Sequence, residues 1–249
     1  MYRYFLELSY KGGRYSGFQV QQNAVTIQSE VEKAFAIFFR KSVELTGSSR
    51  TDAGVHALQN YFHFDWEDEF PQQAIYNLNA ILPADIVVKS VREVLPDAHC
   101  RFHATAREYK YFIYDSKNPF IDDRAWYFPY KLDVDLLNSC AEKILTNKDF
   151  SAFSKRNTQV KTFQCSILES KWLQENGCLV YHVKANRFLR GMVRGLVGTM
   201  VRVARGGTEM HAFDQLLHEP QIATADFSAP AKGLFLINVS YPDTVFKDR

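Results

Sequence analysis

Cysteine is scarce and scattered. Cys100, Cys140, Cys165 and Cys178 are the four in 249 residues, and no two of them form a CxxC pair. Such spacing gives neither a disulfide framework nor a zinc finger. The stretch His99-Cys100-Arg101-Phe102-His103 has metal-ligand chemistry, but no second cluster accompanies it in the sequence, so no metal is expected. No apolar run approaches the ~18 residues of a membrane span, so no membrane partner is expected. The opening Met1-Tyr2-Arg3-Tyr4-Phe5-Leu6-Glu7 enters a strand at once, without signal-peptide layout, and a cytoplasmic location is the expectation. No Rossmann or P-loop glycine pattern occurs, so no nucleotide cofactor is expected. Net charge is also low, at +2. A value so near zero argues against indiscriminate nucleic-acid binding, yet it leaves room for a local basic surface.

What is present reads as an ordinary soluble globular chain, 46% hydrophobic and 23% charged. Its length suits one large domain or two of about 100 residues or more. Tyr4, Leu6, Leu8 and Tyr10 alternate with Arg3, Phe5, Glu7 and Ser9, the period of a half-buried strand. Lys11 to Gln19 breaks that strand with glycines. Ile27, Val31, Ala34, Phe35 and Phe38 then form one helical stripe behind the cap candidate Thr26. Strands are expected at Ser42 to Thr46, Asn60 to Asp65 and Ile86 to Val94. A helix between the last two starts at Pro71 and buries Ile75, Leu78 and Leu82. Strand, helix, strand, strand, helix, strand is the order of a ferredoxin-like α+β unit.

After a connection from Pro96 to His103 the pattern restarts. It runs through the aromatic strand Arg107 to Tyr114 and a helix with Val134, Leu137, Ala141 and Ile144 behind Asp133. A hairpin of Phe163 to Gln174 with Cys178 to Ala185 follows, turning at Glu175-Asn176-Gly177. A long helix and a closing strand, Leu234 to Tyr241, complete the order. Two halves are therefore expected, 1–103 and 104–249.

Two stretches carry chemistry. In Thr46-Gly47-Ser48-Ser49-Arg50-Thr51-Asp52-Ala53-Gly54-Val55-His56-Ala57, small residues surround one carboxylate. Asp52 there could simply shape an Asx turn or cap a helix. With arginine near, it could instead be held ionised as a nucleophile. The second stretch is a helix expected from Phe188 to about Ala204, with an apolar stripe and Gly191, Gly195 and Gly198 on one side. Another backbone or a base could approach closely there. Lys184, Arg187, Arg190, Arg194, Arg202 and Arg205 have no acidic residue between them, which points to phosphate binding. By itself, Tyr109 on a β-prone strand reads as filler.

Arg50-Thr51-Asp52-Ala53-Gly54-Val55-His56-Ala57 resembles the motif of the tRNA pseudouridine synthase A family. Ser49 stands where the family usually has glycine, which bears only on the loop's backbone. Tyr15-x-Gly17-Phe18-Gln19, Ala106-Arg107-Glu108-Tyr109-Lys110-Tyr111, Phe188-Leu189-Arg190-Gly191-Met192-Val193-Arg194 and Gly233-Leu234-Phe235-Leu236 extend the resemblance along the chain.

The resemblance implies an α+β fold of two ferredoxin-like halves, their antiparallel sheets side by side, helices on one side and a central basic cleft. It implies isomerisation of uridine to pseudouridine at positions 38, 39 and 40 of the tRNA anticodon stem-loop, without a cofactor, by a homodimer. Asp52 is then the nucleophile and Arg194, rather than Arg190, its ion-pair partner. Tyr109 stacks on the uracil, with its hydroxyl as a general base. Arg50, Arg187, Arg190 and Leu234 line the substrate. Two other classes fit the residues alone: an RNA-binding module without catalysis, and a glycosidase-like hydrolase. The hydrolase needs paired acids, and no second acid lies in the Asp52 loop.

Overall fold

The alternation at the N-terminus forms β1 (Tyr2–Tyr10), with Tyr4, Leu6, Leu8 and Tyr10 buried. The computed structural model describes residues 1–155, 160–221 and 223–247. They fall into two units, Met1–Thr105 with Leu236–Arg249, and Ala106–Phe235.

In the first unit α1 (Ile27–Phe39) starts at a capping box in which Thr26 and Ser29 satisfy each other's backbone N–H groups. It ends at Arg40, in the left-handed region with φ 53°. Then come β2 (Thr46–Gly47), β3 (His56–Trp66), α2 (Ala74–Ile81) and β4 (Ile86–Val94). β1 lies between β3 and β4 and is antiparallel to both, and β2 pairs antiparallel with β3. The expected strand at Ser42 to Thr46 is thus reduced to two residues, while β3 begins four residues earlier than read and leaves the Asp52 loop directly. Phe35, Phe64, Trp66 and Phe70 pack ring to ring against α1, with centroids 5.4–6.3 Å apart.

One side of β1 departs from simple alternation. Phe5 belongs by period with Arg3 and Glu7, yet it is buried. Tyr241 and Phe246 cover it, with centroids at 5.1 and 6.0 Å. The chain's last stretch holds them there through a Val94–Phe246 bridge and bonds from the Leu95 N–H to the Val245 carbonyl and from the Thr105 N–H to the Ser240 carbonyl. The halves read from sequence, 1–103 and 104–249, put this stretch with the second half, whereas its contacts from Leu236 onward are with the first unit. Its aromatic residues find their apolar cover there.

The second unit contains β5 (Ala106–Tyr114), β6 (Trp126–Tyr127), α3 (Val134–Thr146), β7 (Ile167–Glu175), β8 (Cys178–Ala185), α4 (Met192–Ala204) and α5 (Met210–His218). β9 (Leu234–Ser240) starts at this unit's end. β8 lies between β5 and β7, antiparallel to both, and β6 runs parallel to β5. Asn176 and Gly177 both take positive φ, 51° and 76°, as a two-residue hairpin turn requires. Asp133 caps α3 by accepting from the Asp135 and Leu136 N–H groups. The long helix read from Phe188 begins only at Met192, because Gly191 sits at φ 73° and holds the preceding turn out of helical geometry. From there α4 is buried along nearly its whole length.

Candidate active site

The loop between β2 and β3 carries Asp52, half-buried, in a turn closed by the Val55 N–H on the Asp52 carbonyl at 3.1 Å. It is clamped from several sides. Thr51 Oγ1 and Tyr10 Oη share a buried hydrogen bond of 2.7 Å. Asn60 Nδ2 donates to Tyr10 Oη and to the Ser49 carbonyl, tying both to β3. The Phe18 N–H donates to the Thr51 carbonyl at 3.1 Å, and the Gly12 N–H to His56 Nδ1 at 3.2 Å.

Gly17, at φ 103°, lies against the same backbone, and a Cβ there would meet the Thr51 carbonyl at 3.2 Å and the Ala53 nitrogen at 3.4 Å. Phe18 stacks on Phe62 of β3 at 4.5 Å and fixes the loop after β1 against the sheet. These contacts fix the backbone that carries Asp52, which lowers the entropy lost when a reaction demands one orientation. Tyr10, Asn60 and Gly12 were not visible as site residues in the sequence. In sequence, Lys11 to Gln19 shows only a glycine-rich break after β1. Arg50 is exposed on the same loop.

In the second unit Arg194 lies on the first turns of α4. Its Nε donates to the Ala229 carbonyl at 2.6 Å and its Nη2 to the Phe227 carbonyl at 3.3 Å, which fixes the plane of the guanidinium. The strap 225–229 that supplies these acceptors lies on the α4 glycines. A Cβ at Gly198 would stand 2.3 Å from the Asp226 carbonyl oxygen, and one at Gly195 2.9 Å from the Phe227 ring. Thr199 Oγ1 adds a bond from the Asp226 N–H at 3.0 Å. Protein atoms, the Asp226 backbone at Gly198 and the Phe227 ring at Gly195, therefore fill the small-residue side of the helix.

Tyr109 is half-buried on β5, opposite Val183 of β8, with its ring edge-on to Phe188 at 5.0 Å. This joins the aromatic strand to the turn that leads into Arg190 and Arg194. Arg190 is exposed, and its carbonyl accepts from the Lys155 N–H. Arg187 is half-buried near Cys165, a thiol that burial pushes up to about 11 against the pull of the Arg187 charge. Leu234 is buried at the start of β9. Arg202 and Arg205 are exposed, Arg205 lying 4.2 Å over the Tyr130 ring.

A clamped Asp loop on one unit, with an anchored arginine and an aromatic strand on the other, is accompanied by a match of residues 141–242 to a family model described as tRNA pseudouridine synthase. That defines the class. Three relatives, each called tRNA pseudouridine synthase A, extend the likeness to the whole chain. The protein of Bacteroides fragilis is 43% identical over 248 residues, 98% of each chain. That of Bacteroides thetaiotaomicron is 41% identical over 252 residues, 100% of this chain and 94% of the relative. That of Parabacteroides distasonis is 40% identical over 248 residues, 99% and 98%. The chain belongs to the tRNA pseudouridine synthase A family.

Proposed function

We propose that this chain isomerises uridine to pseudouridine in tRNA, at positions 38, 39 and 40 of the anticodon stem-loop. The observation that carries the reading is the full-length likeness to proteins named for that activity, with Asp52 on a loop restrained by Tyr10, Asn60 and Phe18. Asp52 is the nucleophile, attacking as a carboxylate at ribose C1′ or uracil C6. The N1–C1′ bond breaks, the uracil turns, C5 bonds to C1′, and the bond to Asp52 breaks to return the carboxylate. C5 then loses its proton and N1 gains one, so no electrons are exchanged and no cofactor is required.

Arg194 pairs with the Asp52 carboxylate during turnover. With Nε and one Nη2 hydrogen committed to Ala229 and Phe227, it offers the fork made by Nη1 and the other Nη2 hydrogen. Tyr109 stacks on the uracil, a contact worth roughly 1–3 kcal/mol, and its hydroxyl serves as the general base. Arg50, Arg187 and Arg190 bind the RNA, and Leu234 packs beside the reacting group. Taking a base out of a stem costs a few kcal/mol, which these contacts offset.

The same reading includes two ferredoxin-like halves, one carrying the Asp loop and the other the Tyr strand and arginine helix, with a basic cleft for the RNA. The order β4–β1–β3 with β2 on β3, and its echo β5–β8–β7, support the ferredoxin-like halves. A homodimer in the cytoplasm completes the proposal. Among the described residues no helix is long and apolar enough to cross a membrane.

The test is Asp52→Asn, which keeps size and polarity but removes the negative charge. It should bind tRNA within about twofold of wild type in filter binding and release no tritium from uracil C5 of labelled tRNA. Near-normal turnover would remove the nucleophile assignment. Mapping pseudouridine in tRNA from a strain lacking the gene checks the positions.

A further inference from the structure

The connection 96–103 has three nitrogen or sulfur ligand candidates in sequence, His99, Cys100 and His103. In the folded first unit, β3 brings a residue from 36 positions earlier to the same place. We infer that His63, His99 and Cys100 form a binding site for a soft divalent cation of the zinc class, held by two imidazoles and one thiolate.

The ligand atoms of the three residues lie within 4.8 Å of one another. His63 Nδ1 is 3.2 Å from Cys100 Sγ, and the His63 and His99 rings are 4.5 Å apart between centroids. Tetrahedral bonds of ~2.1 Å to nitrogen and ~2.3 Å to sulfur put ligand atoms roughly 3.3–3.8 Å apart. The N–S pair is already near that separation, and the widest pair must close by about one ångström. Two nitrogens and a sulfur suit zinc over the hard cations, which prefer oxygen. Three protein ligands leave one position for water.

The backbone around the ligands is fixed by bonds that ligation does not use. Ser48 Oγ and Tyr241 Oη both donate to the Cys100 carbonyl, and the His99 N–H donates to His103 Nδ1. His63 faces Thr46 in the β2–β3 ladder. Of the neighbouring positive charges, Arg3 is engaged by both oxygens of Asp65 at 2.7 and 2.8 Å, which weakens its repulsion of a cation, and Arg101 lies over the Phe102 ring. A cleft lined by Arg3, Lys41, Glu44, Thr46, His63 and Asp65 opens on the His63 side of the cluster.

Without metal, the Cys100 thiol donates to the Thr46 carbonyl at 3.1 Å. On binding, the metal–sulfur bond forms as the S–H bond breaks, and that proton leaves to solvent. The His63 ring moves its own hydrogen from Nδ1 to Nε2. His99 Nδ1 accepts from the Arg101 N–H, and ligation through Nε2 gives up that contact. The ion would clip β3 to the 96–103 connection, a structural role that involves no step of the uridine chemistry.

Titrating Co2+ into chelator-treated, desalted full-length protein tests this. Wild type should take up one Co2+ with tetrahedral visible bands and a thiolate-to-metal charge-transfer band, and Zn2+ should displace it. Cys100→Ser should abolish the charge-transfer band, and His63→Gln should weaken binding at least about tenfold, with circular dichroism confirming that both fold. Zinc should raise the melting temperature of wild type but not of Cys100→Ser. Absence of the charge-transfer band in wild type, which depends on no variant, overturns the site, as does a band that survives Cys100→Ser.

Discussion

Tyr10 Oη on β1 and Thr51 Oγ1, one residue before Asp52, stand 2.7 Å apart in a buried hydrogen bond. Asn60 Nδ2 reaches the same phenol oxygen at 3.1 Å, so the Asp52 loop is fastened to β1 and β3 through one tyrosine hydroxyl. Tyr10→Phe keeps the ring and deletes that junction. Stability should fall by about 1–3 kcal/mol, the cost of stranding a buried polar group. In steady-state tRNA assays kcat should fall by more than KM changes, because Asp52 is oriented less well. An unchanged kcat would show that the loop holds its shape without this bond.

Arg194→Lys tests the anchored fork. Lysine keeps the charge but cannot reach two carbonyls and a carboxylate with one planar group. Activity should fall by about tenfold or more, equivalent to ~1.4 kcal/mol, while filter-binding affinity for tRNA stays within about twofold. Equal loss of both would make Arg194 an RNA-binding residue.

Gly198→Ala examines the strap that holds Arg194. The new methyl would be driven against the Asp226 carbonyl oxygen at 2.3 Å. Overpacking of this kind costs about 1–3 kcal/mol, or a melting-temperature drop of about 2–10 °C for a chain of this size. Activity should fall with it, since Phe227 and Ala229 move. Gly13→Ala, where a Cβ meets nothing within 4 Å, is the control and should behave as wild type.

The exposed arginines of the second unit predict a salt signature. Arg190→Ala, Arg202→Ala and Arg205→Ala should each flatten the plot of log affinity against log salt by about one unit if the residue touches a phosphate. Arg205 is the most informative, because its position over Tyr130 already fixes the guanidinium. Unchanged slopes in all three would mean that this face points away from the RNA.

Buried thiols set the alkaline limit. Burial pushes Cys140 up to about 12 and Cys165 to about 11, from an ordinary value near 9. The folded state therefore keeps protons that the unfolded chain releases above pH 9. Stability should fall from pH 9 to 11 by up to about 1.4 kcal/mol per pH unit for each thiol. Urea unfolding at pH 8.5, 9.5 and 10.5 measures this limb, and Cys140→Ala should make it shallower. An equally steep limb in that variant would assign it to other groups.

Elements whose signals are local were legible in the sequence. The β1 period, the Thr26 and Asp133 caps and the Asn176-Gly177 turn each depend on neighbours within a few residues, and the structure forms all of them. The start of α4 was misread because an apolar stripe gives no sign that Gly191 will adopt positive φ. Phe5 was placed on the polar side because its covers, Tyr241 and Phe246, lie more than two hundred residues away. At the candidate site, Asp52, Tyr109 and Arg194 stood out through contiguous strings of residues. Tyr10, Asn60, Phe227 and Ala229 did not, since a hydrogen bond across a fold leaves no periodic trace in either partner. His63 escaped for the same reason.

The return of residues 236–249 to the first unit has a consequence for biosynthesis. On the ribosome, residues 1–105 emerge first, but Phe5 and Tyr61 stay uncovered until the whole of 106–235 has been made. At ~5–20 residues per second, that interval is roughly 6–26 s. During it, the nascent first unit exposes the aromatic surface that Tyr241 and Phe246 will later occupy. A chaperone that binds aromatic surface should therefore associate with nascent chains of intermediate length and leave only when Tyr241 and Phe246 are released.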